Sequence, residues 1–119
     1  MKRQIFVNLP VSNLKRAMNF YAAIGFENNP QFTDDTAACM VVSEEIFFML
    51  LTHEKFLEFT HKDIADTQKT AAVINFLSAS SNEEVDEFMA KALAAGGSEP
   101  QEAKDFGFMY QRSLADPDG

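Results

Sequence analysis

The chain has 119 residues, a length that predicts one domain, and 46% of them are hydrophobic, which excludes a disordered tail or a low-complexity stalk. Its 18 acidic and 10 basic residues give a formal net charge of −8. Because that charge repels phosphate backbones at long range, nucleic acid is excluded as an expected partner.

The distribution of apolar residues predicts a cytoplasmic protein. The longest apolar run, residues 46–51, is far shorter than the roughly 20 residues that a membrane span needs, so no membrane partner is expected. The residues after Lys2 and Arg3 do not form a signal peptide, since Asn8 and Pro10 break the apolar stretch. The single cysteine, Cys39, can form no internal disulfide and is interpreted as a buried structural thiol.

The first elements predicted along the chain are a strand and a helix. The strand covers residues 4–9 and ends before a proline. Ser12 or Asn13 can then cap a helix, which ends at Gly25 because glycine readily adopts the left-handed conformation that stops a helix. The apolar stripe of this helix consists of Leu14, Ala17, Met18 and Tyr21.

Three further strands complete the first half, which therefore predicts the order β-α-β-β-β. Residues 26–32 form a weak strand that a proline interrupts, and residues 37–42 and 46–51 form stronger strands joined by a hairpin-length connection. A polar, partly helical segment from residue 53 to residue 70 follows, and we expect it to pack on the sheet rather than to act as a flexible linker.

The second half repeats this order. A strand is predicted at 72–77, a helix capped by one residue within 80–82 and stopped by Gly96-Gly97, and two more strands at 98–103 and 108–114. Its buried stripe is predicted to consist of Val85, Phe88, Met89, Ala92 and Leu93.

The spacing of equivalent residues indicates two copies of one structural unit. Ile5 and Ile74 lie 69 positions apart, and Gly25 and Gly97 lie 72 positions apart. The second copy is one strand short, and the Asp-Pro-Asp-Gly run at residues 116–119 predicts a turn. We expect a chain cut before its final strand, rather than a partner that supplies the missing edge.

Two motifs resemble the glyoxalase/bleomycin resistance/extradiol dioxygenase superfamily, the vicinal oxygen chelate proteins. Residues 6–14 (FVNLPVSNL) run into residues 17–21 (AMNFY) and then 24–26 (IGF), and residues 114–119 (LADPDG) resemble the turn before the last strand of that family. The resemblance implies an α+β fold: one domain, residues 1–119, in which two βαβββ modules form a curved mixed sheet around a cup-like cavity. The first module would cover residues 1–52, the connecting segment 53–70, and the truncated second module 71–119. Homodimers are common in the family, so a homodimer is expected.

The resemblance also locates the four positions at which family metalloenzymes hold a divalent ion. The first falls on Phe6, the second at or next to Leu50, and the third on or next to Ile74, while the fourth lies after Gly119. Three positions are therefore apolar, and hydrocarbon does not bind divalent ions, so we expect no metal and no cofactor. His53 and His61, eight positions apart without a matching cysteine, fit no zinc spacing.

Without a metal, the cup is predicted to bind an apolar or aromatic small molecule. Strand alternation places Phe6 and Asn8 on one face, and we expect Phe48 and Leu50 to share the matching face of a second strand. The remaining predicted ligand-binding residues are Ile74, Phe76 and Arg112, of which Arg112 would counter an anionic group on the ligand. No catalytic residue is identified.

Three functions stay open at this point. The first is a metal-independent small-molecule binding protein of the bleomycin-resistance type. The second is a glyoxalase-like lyase or dioxygenase-like metalloenzyme that uses a displaced site or one supplied by a dimer. The third is a scaffold protein whose cup is filled by phenylalanine side chains.

Overall fold

A computed structural model describes residues 2–119 of the chain. Its first half contains the strand β1, the helix α1, and three strands in succession. Their bounds are β1 Ile5–Val11, α1 Leu14–Ala23, β2 Glu27–Asn29, β3 Ala37–Val41 and β4 Ile46–Thr52. A single 3₁₀ turn, Pro30–Phe32, follows β2 where the proline interrupts the predicted strand. The order β-α-β-β-β predicted for this half is confirmed.

These strands form one mixed sheet in the order β1-β4-β3-β2. β1 and β4 run parallel, and the other neighbours run antiparallel. Within the described chain, the outer edge of β1 has no neighbouring strand.

The ends of α1 follow from two residues that the sequence singles out. Asn13 caps its start by accepting a hydrogen bond from the N–H of Arg16 at 3.0 Å. Gly25 follows its end with a φ of 104°, a backbone conformation that glycine adopts without the steric cost of a Cβ atom. The predicted helix is confirmed, including one of its two candidate caps.

The core lies between one face of the sheet, α1 and a later helix, α3 (Asn82–Ala94). Its central side chains are Val11, Phe20, Met40, Leu50 and Ala92, each at most 1% exposed. Ser81 caps α3 by accepting from the N–H of Glu84 at 3.1 Å. No helix in residues 2–119 has both the length and the apolar character needed to cross a membrane.

The second half departs from the predicted copy of the first. Residues 72–77 form no strand, and Val73, Ile74 and Phe76 are each more than 70% exposed. The predicted strands at 98–103 and 108–114 reduce to a bridge between Ser98 and Ala115 and a two-residue pair, β5 Lys104–Asp105 with β6 Tyr110–Gln111.

Residues 72–77 form no strand because no strand of the described chain lies beside them to pair with. A strand is stable only when its N–H and C=O groups pair with an adjacent strand, and nothing within residues 2–119 pairs with residues 72–77. The strong β propensity of residues 72–77 was therefore not sufficient to make them a strand. The structure therefore contains one four-stranded module, and the second module is not reproduced as predicted.

The turn predicted at residues 116–119 is confirmed, and side chains of α1 and of the residues before it form hydrogen bonds to the turn. The hydroxyl of Tyr21 on α1 donates a hydrogen bond to the carboxylate of Asp116. Asp118 accepts from the N–H and hydroxyl of Ser12, at 2.9 and 2.8 Å, and from Arg16 at 3.3 Å.

The connecting segment reaches the same turn. It starts with a short helix, α2 (His53–Phe56), which contacts β1 and β4. Further along, Thr67 donates a hydrogen bond to the carbonyl of Asp118, and the side chain of Gln68 donates to the carbonyl of Pro117 at 3.2 Å. The segment thus links the sheet to the C-terminal turn, as a packed connection would.

Candidate functional site

The sheet face opposite the core carries an exposed patch that we call the aromatic face, formed by Phe6, Asn8, Phe47 and Met49. The register of β1 and β4 places Phe6 opposite Phe47 and Asn8 opposite Met49. The two phenylalanine rings stack, with centroids 4.8 Å apart and planes inclined by 12°. Phe6 is 50% exposed, and Phe47 and Met49 are half-buried. The stacked pair therefore presents aromatic surface to solvent.

Asn8 is the polar member of the aromatic face, and a hydrogen bond holds its side-chain amide at the open edge of β1. Ile5 donates its N–H to the backbone carbonyl of Glu45, the residue directly before β4, at 2.8 Å. Because pairing alternates along a parallel ladder, the backbone groups of Phe6 and Asn8 point to the open edge of β1. There the Asn8 Nδ2 donates to the carbonyl oxygen of Phe6 at 3.1 Å. The Asn8 Oδ1 accepts no hydrogen bond within the described chain.

Phe48 and Leu50 do not share this face, which corrects the expected arrangement. In the observed register they lie opposite Val7 and Leu9, on the core side of the sheet. The Phe48 ring meets the Tyr21 ring edge-on at 5.7 Å, and Leu50 is fully buried. Every position from Ile46 to Leu51 is apolar, so alternation in the sequence could not tell the two faces of β4 apart.

Phe47 and Met49 are the members of the aromatic face that the sequence did not predict, and each lies one position from a predicted residue. The signal that identifies them is the pairing of Ile5 with Ile46, which fixes the register of the whole β1–β4 ladder. Ile74 and Phe76 are not brought to the aromatic face as strand residues, since they lie in the exposed irregular segment at 72–77.

Arg112, which the sequence predicted to counter an anionic ligand, forms hydrogen bonds with two carboxylates of the chain itself. Its Nε and Nη2 donate to the two carboxylate oxygens of Glu99, each at 2.8 Å, and its Nη1 donates to Asp86 at 3.1 Å. The Tyr110 hydroxyl also donates to Asp86, at 2.7 Å. These bonds join α3 to β6, so an anionic ligand would have to compete with charges already in place.

The same contacts perturb the titration of the acids. The hydrogen bond from Arg112 is the main cause that holds the pKa of Glu99 below its usual value. For Asp86, the hydrogen bond from Tyr110 is the largest cause of its lowered pKa, followed by that from Arg112. Both carboxylates therefore stay charged at neutral pH, in their bonded form.

Sequence comparison finds no match among protein-family models or among curated proteins. Solved structures do match. A hypothetical protein, SA1046, from S. aureus has a TM-score of 0.82 at 25% identity, over 100% of this chain and 89% of that chain. A glyoxalase-related enzyme from Fulvimarina pelagi has a TM-score of 0.82 at 16% identity, over 100% of this chain and 84% of that chain. A glyoxalase/bleomycin resistance protein/dioxygenase family enzyme from Burkholderia phytofirmans PsJN has a TM-score of 0.71 at 20% identity, over 94% of this chain and 88% of that chain.

The chain has the glyoxalase/bleomycin resistance protein/dioxygenase fold. The α+β fold that the resemblance implies is thereby confirmed.

The metal that this fold holds in the family's metalloenzymes does not fit the residues present here. The resemblance implies that the first ligand position falls on Phe6 and the second at or next to Leu50, and the two residues beside Leu50 on the Phe6 side of the sheet are Met49 and Leu51. None of these side chains carries an oxygen or nitrogen donor, and Asn8 offers a single amide oxygen. Residues 2–119 contain no group of three or more His, Cys, Asp or Glu side chains placed to hold a metal ion.

Cys39 lies in register with Met49, on the same side of the sheet, but is inaccessible there. It is 2% exposed, and burial raises the pKa of its thiol. A neutral, buried thiol is a poor nucleophile and a poor metal ligand. The interpretation of Cys39 as a buried free thiol is confirmed.

Two clefts open elsewhere on the glyoxalase fold. One of about 430 Å³ lies beside the C-terminal turn and is lined by Ser12, Arg16 and Asp118 among others. Another of about 530 Å³ lies on the polar side of α1, next to Lys15 and Asn19. Neither is lined by the residues predicted to bind a ligand. In the first cleft, the side chains of Ser12 and Arg16 already form hydrogen bonds with Asp118 of the C-terminal turn.

Proposed function

We propose that this chain is a metal-independent small-molecule binding protein whose ligand is flat and apolar or aromatic. The observation that carries the proposal is the stacked pair of Phe6 and Phe47, in which the Phe6 ring is 50% exposed. In the family resemblance, Phe6 occupies the first metal-ligand position, so an aromatic surface replaces a chelating one. A ligand ring laid on the outer face of Phe6, the more exposed ring of the pair, would continue the stack as a third ring and remove apolar surface from water.

The expected affinity is modest. Burying about 150 Å² of a two-ring ligand at about 25 cal/mol per Å² contributes about 4 kcal/mol. Stacking on an aromatic ring adds about 0.5–1.5 kcal/mol. This total alone corresponds to a dissociation constant of about 0.1–1 mM. Because association also costs translational and rotational freedom, we expect a dissociation constant of about 1 mM or higher, and binding has to be measured with a probe that dissolves at millimolar concentration.

The experiment is a titration of the ¹⁵N-labelled protein with 1-methylindole in buffer containing a chelator, followed by backbone amide chemical shifts. We expect the largest shifts in β1 and β4 around Phe6 and Phe47. Phe6→Ala is expected to weaken binding several-fold because it removes the ring on which the ligand stacks, whereas Phe47→Ala is expected to weaken binding less because Phe47 supports Phe6 from its inner face. Phe108→Ala is the matched control, since Phe108 is 88% exposed but lies outside the aromatic face.

Two outcomes would overturn the proposal. One is the absence of saturable shifts on the aromatic face, or shifts confined to the exposed residues 72–77. The other comes from elemental analysis of protein expressed with added Zn, Ni, Mn, Fe and Co. A stoichiometric metal whose removal abolishes 1-methylindole binding would contradict metal independence and favour a metalloenzyme.

A further inference from the structure

We infer that Asn8 selects aromatic ligands that carry a hydrogen-bond donor on the ring edge, such as a heteroaromatic N–H. The inference rests on the proposed function and names the ligand class of the same site. It predicts that such ligands bind in preference to equally flat ligands without a donor.

The first argument is the state of the Asn8 amide. Its nitrogen already donates to the carbonyl oxygen of Phe6, which fixes the orientation of the amide group. Its Oδ1 accepts nothing within the described chain, and the side chain is exposed. An amide held through its nitrogen presents its oxygen as a preoriented acceptor, and an acceptor is complemented by a donor.

The second argument is position. Asn8 is two residues along β1 from Phe6, so its Cα lies about 6.6 Å further along the same face. That distance is close to the length of a two-ring system. A bicyclic ligand stacked on the outer face of Phe6 therefore brings one edge to Asn8.

The third argument is the lack of a competing polar group over the rings. Phe6, Phe47 and Met49 offer no strong donor or acceptor on their side chains. The unpaired backbone groups of β1 point along the plane of the sheet, toward its open edge, rather than over the ring pair. The net charge of −8 further disfavours an anionic ligand, so the donor belongs to a ring without negative charge.

The test compares indole with 1-methylindole, two flat probes that differ in the ring N–H. Dissociation constants are measured for the unmodified chain and for Asn8→Leu, which keeps a similar volume without the acceptor. We expect indole to bind about 3- to 10-fold more tightly than 1-methylindole to the unmodified chain, the range of one neutral hydrogen bond. In Asn8→Leu the preference disappears, while the affinity for 1-methylindole stays within about twofold. Asn75→Leu, at an exposed asparagine outside the aromatic face, is the control that keeps the preference.

The outcomes separate the two proposals. Equal binding of both probes to the unmodified chain overturns the role of Asn8 and leaves the proposed function standing. The same conclusion follows if the preference for indole persists in Asn8→Leu. If neither probe binds the unmodified chain, the proposed function is overturned, and the role of Asn8 with it.

Discussion

Replacing Tyr21 by phenylalanine tests the contact between α1 and the C-terminal turn by removing one hydroxyl. The side chain is 5% exposed, and its ring packs against Phe26 with centroids 5.9 Å apart. Its hydroxyl donates to the carboxylate of Asp116. Burial is the main cause that raises the pKa of Tyr21, and the nearby Asp116 charge raises it further, so the hydroxyl remains a protonated donor at neutral pH.

The expected cost follows from the charge of the acceptor. A hydrogen bond to a charged group contributes about 1.5–3 kcal/mol, and Tyr21→Phe keeps the ring while leaving the Asp116 carboxylate without that donor. An unfolding entropy of about 2.1 cal/mol/K per residue over 119 residues is about 250 cal/mol/K. The loss therefore lowers the thermal midpoint by about 6–12 °C.

The assay is urea and thermal unfolding of both forms at pH 7. The matched control is Tyr110→Phe, which deletes the same kind of hydroxyl from a bond of 2.7 Å to Asp86 on the surface. Because water replaces that donor, the control is expected to change the midpoint far less. Equal losses for Tyr21→Phe and Tyr110→Phe would refute the reasoning that burial gives the Tyr21 contact its weight.

Three further substitutions test the core, the close packing after α3 and the Arg112 network, all by urea unfolding. Leu50→Ala is expected to lower the free energy of unfolding by about 2–5 kcal/mol, and Met49→Ala by well under half of that, because Leu50 is fully buried and Met49 is not. Similar losses for the two variants would contradict the assignment of the two faces of β4. Gly97→Ala is expected to lower the free energy of unfolding by about 1–3 kcal/mol, since a Cβ atom there would lie 2.8 Å from a methyl carbon of Leu114. The double variant with Leu114→Ala, which removes that methyl carbon, should recover part of the loss. Arg112→Gln is expected to destabilise the protein at pH 7, and this effect should shrink as the pH falls below about 4. The folded-state pKa values of the two paired carboxylates are lowered, so their contribution is complete above the unfolded pKa values and disappears as pH falls through the folded ones. A destabilisation that is the same at pH 7 and pH 3 would contradict this linkage.

Local signals were sufficient to predict both ends of α1 and the start of α3. Asn13 and Ser81 have side chains that bond backbone N–H groups at a helix start, and both were among the few candidates at their sites. Gly25 stops α1 by its own conformational preference. These features depend on residues close in sequence, which is why they could be predicted without knowledge of the tertiary structure.

The remaining features depend on neighbours that sequence order does not specify. Phe47 and Phe48 are identical in type, and only pairing with β1 decides which one stacks on Phe6. The strand predicted at 72–77 has the required β propensity but lacks a partner within residues 2–119. Arg112 has the chemistry to bind an anion, and only the tertiary structure brings Glu99 and Asp86 to it.

The parallel pairing of β1 with β4 has a consequence for the order in which this chain acquires structure. Ile5 pairs with Ile46, so within the described chain the first strand has no sheet neighbour until 41 further residues have been synthesised. A ribosome-bound chain that ends within β3 therefore holds an unpaired, apolar N-terminal segment, and closing that loop costs entropy before any contact is gained. The arrival of β4 is the step that converts α1 and the β2–β3 hairpin into a cooperative unit, and protease resistance of nascent chains should rise sharply once β4 has emerged.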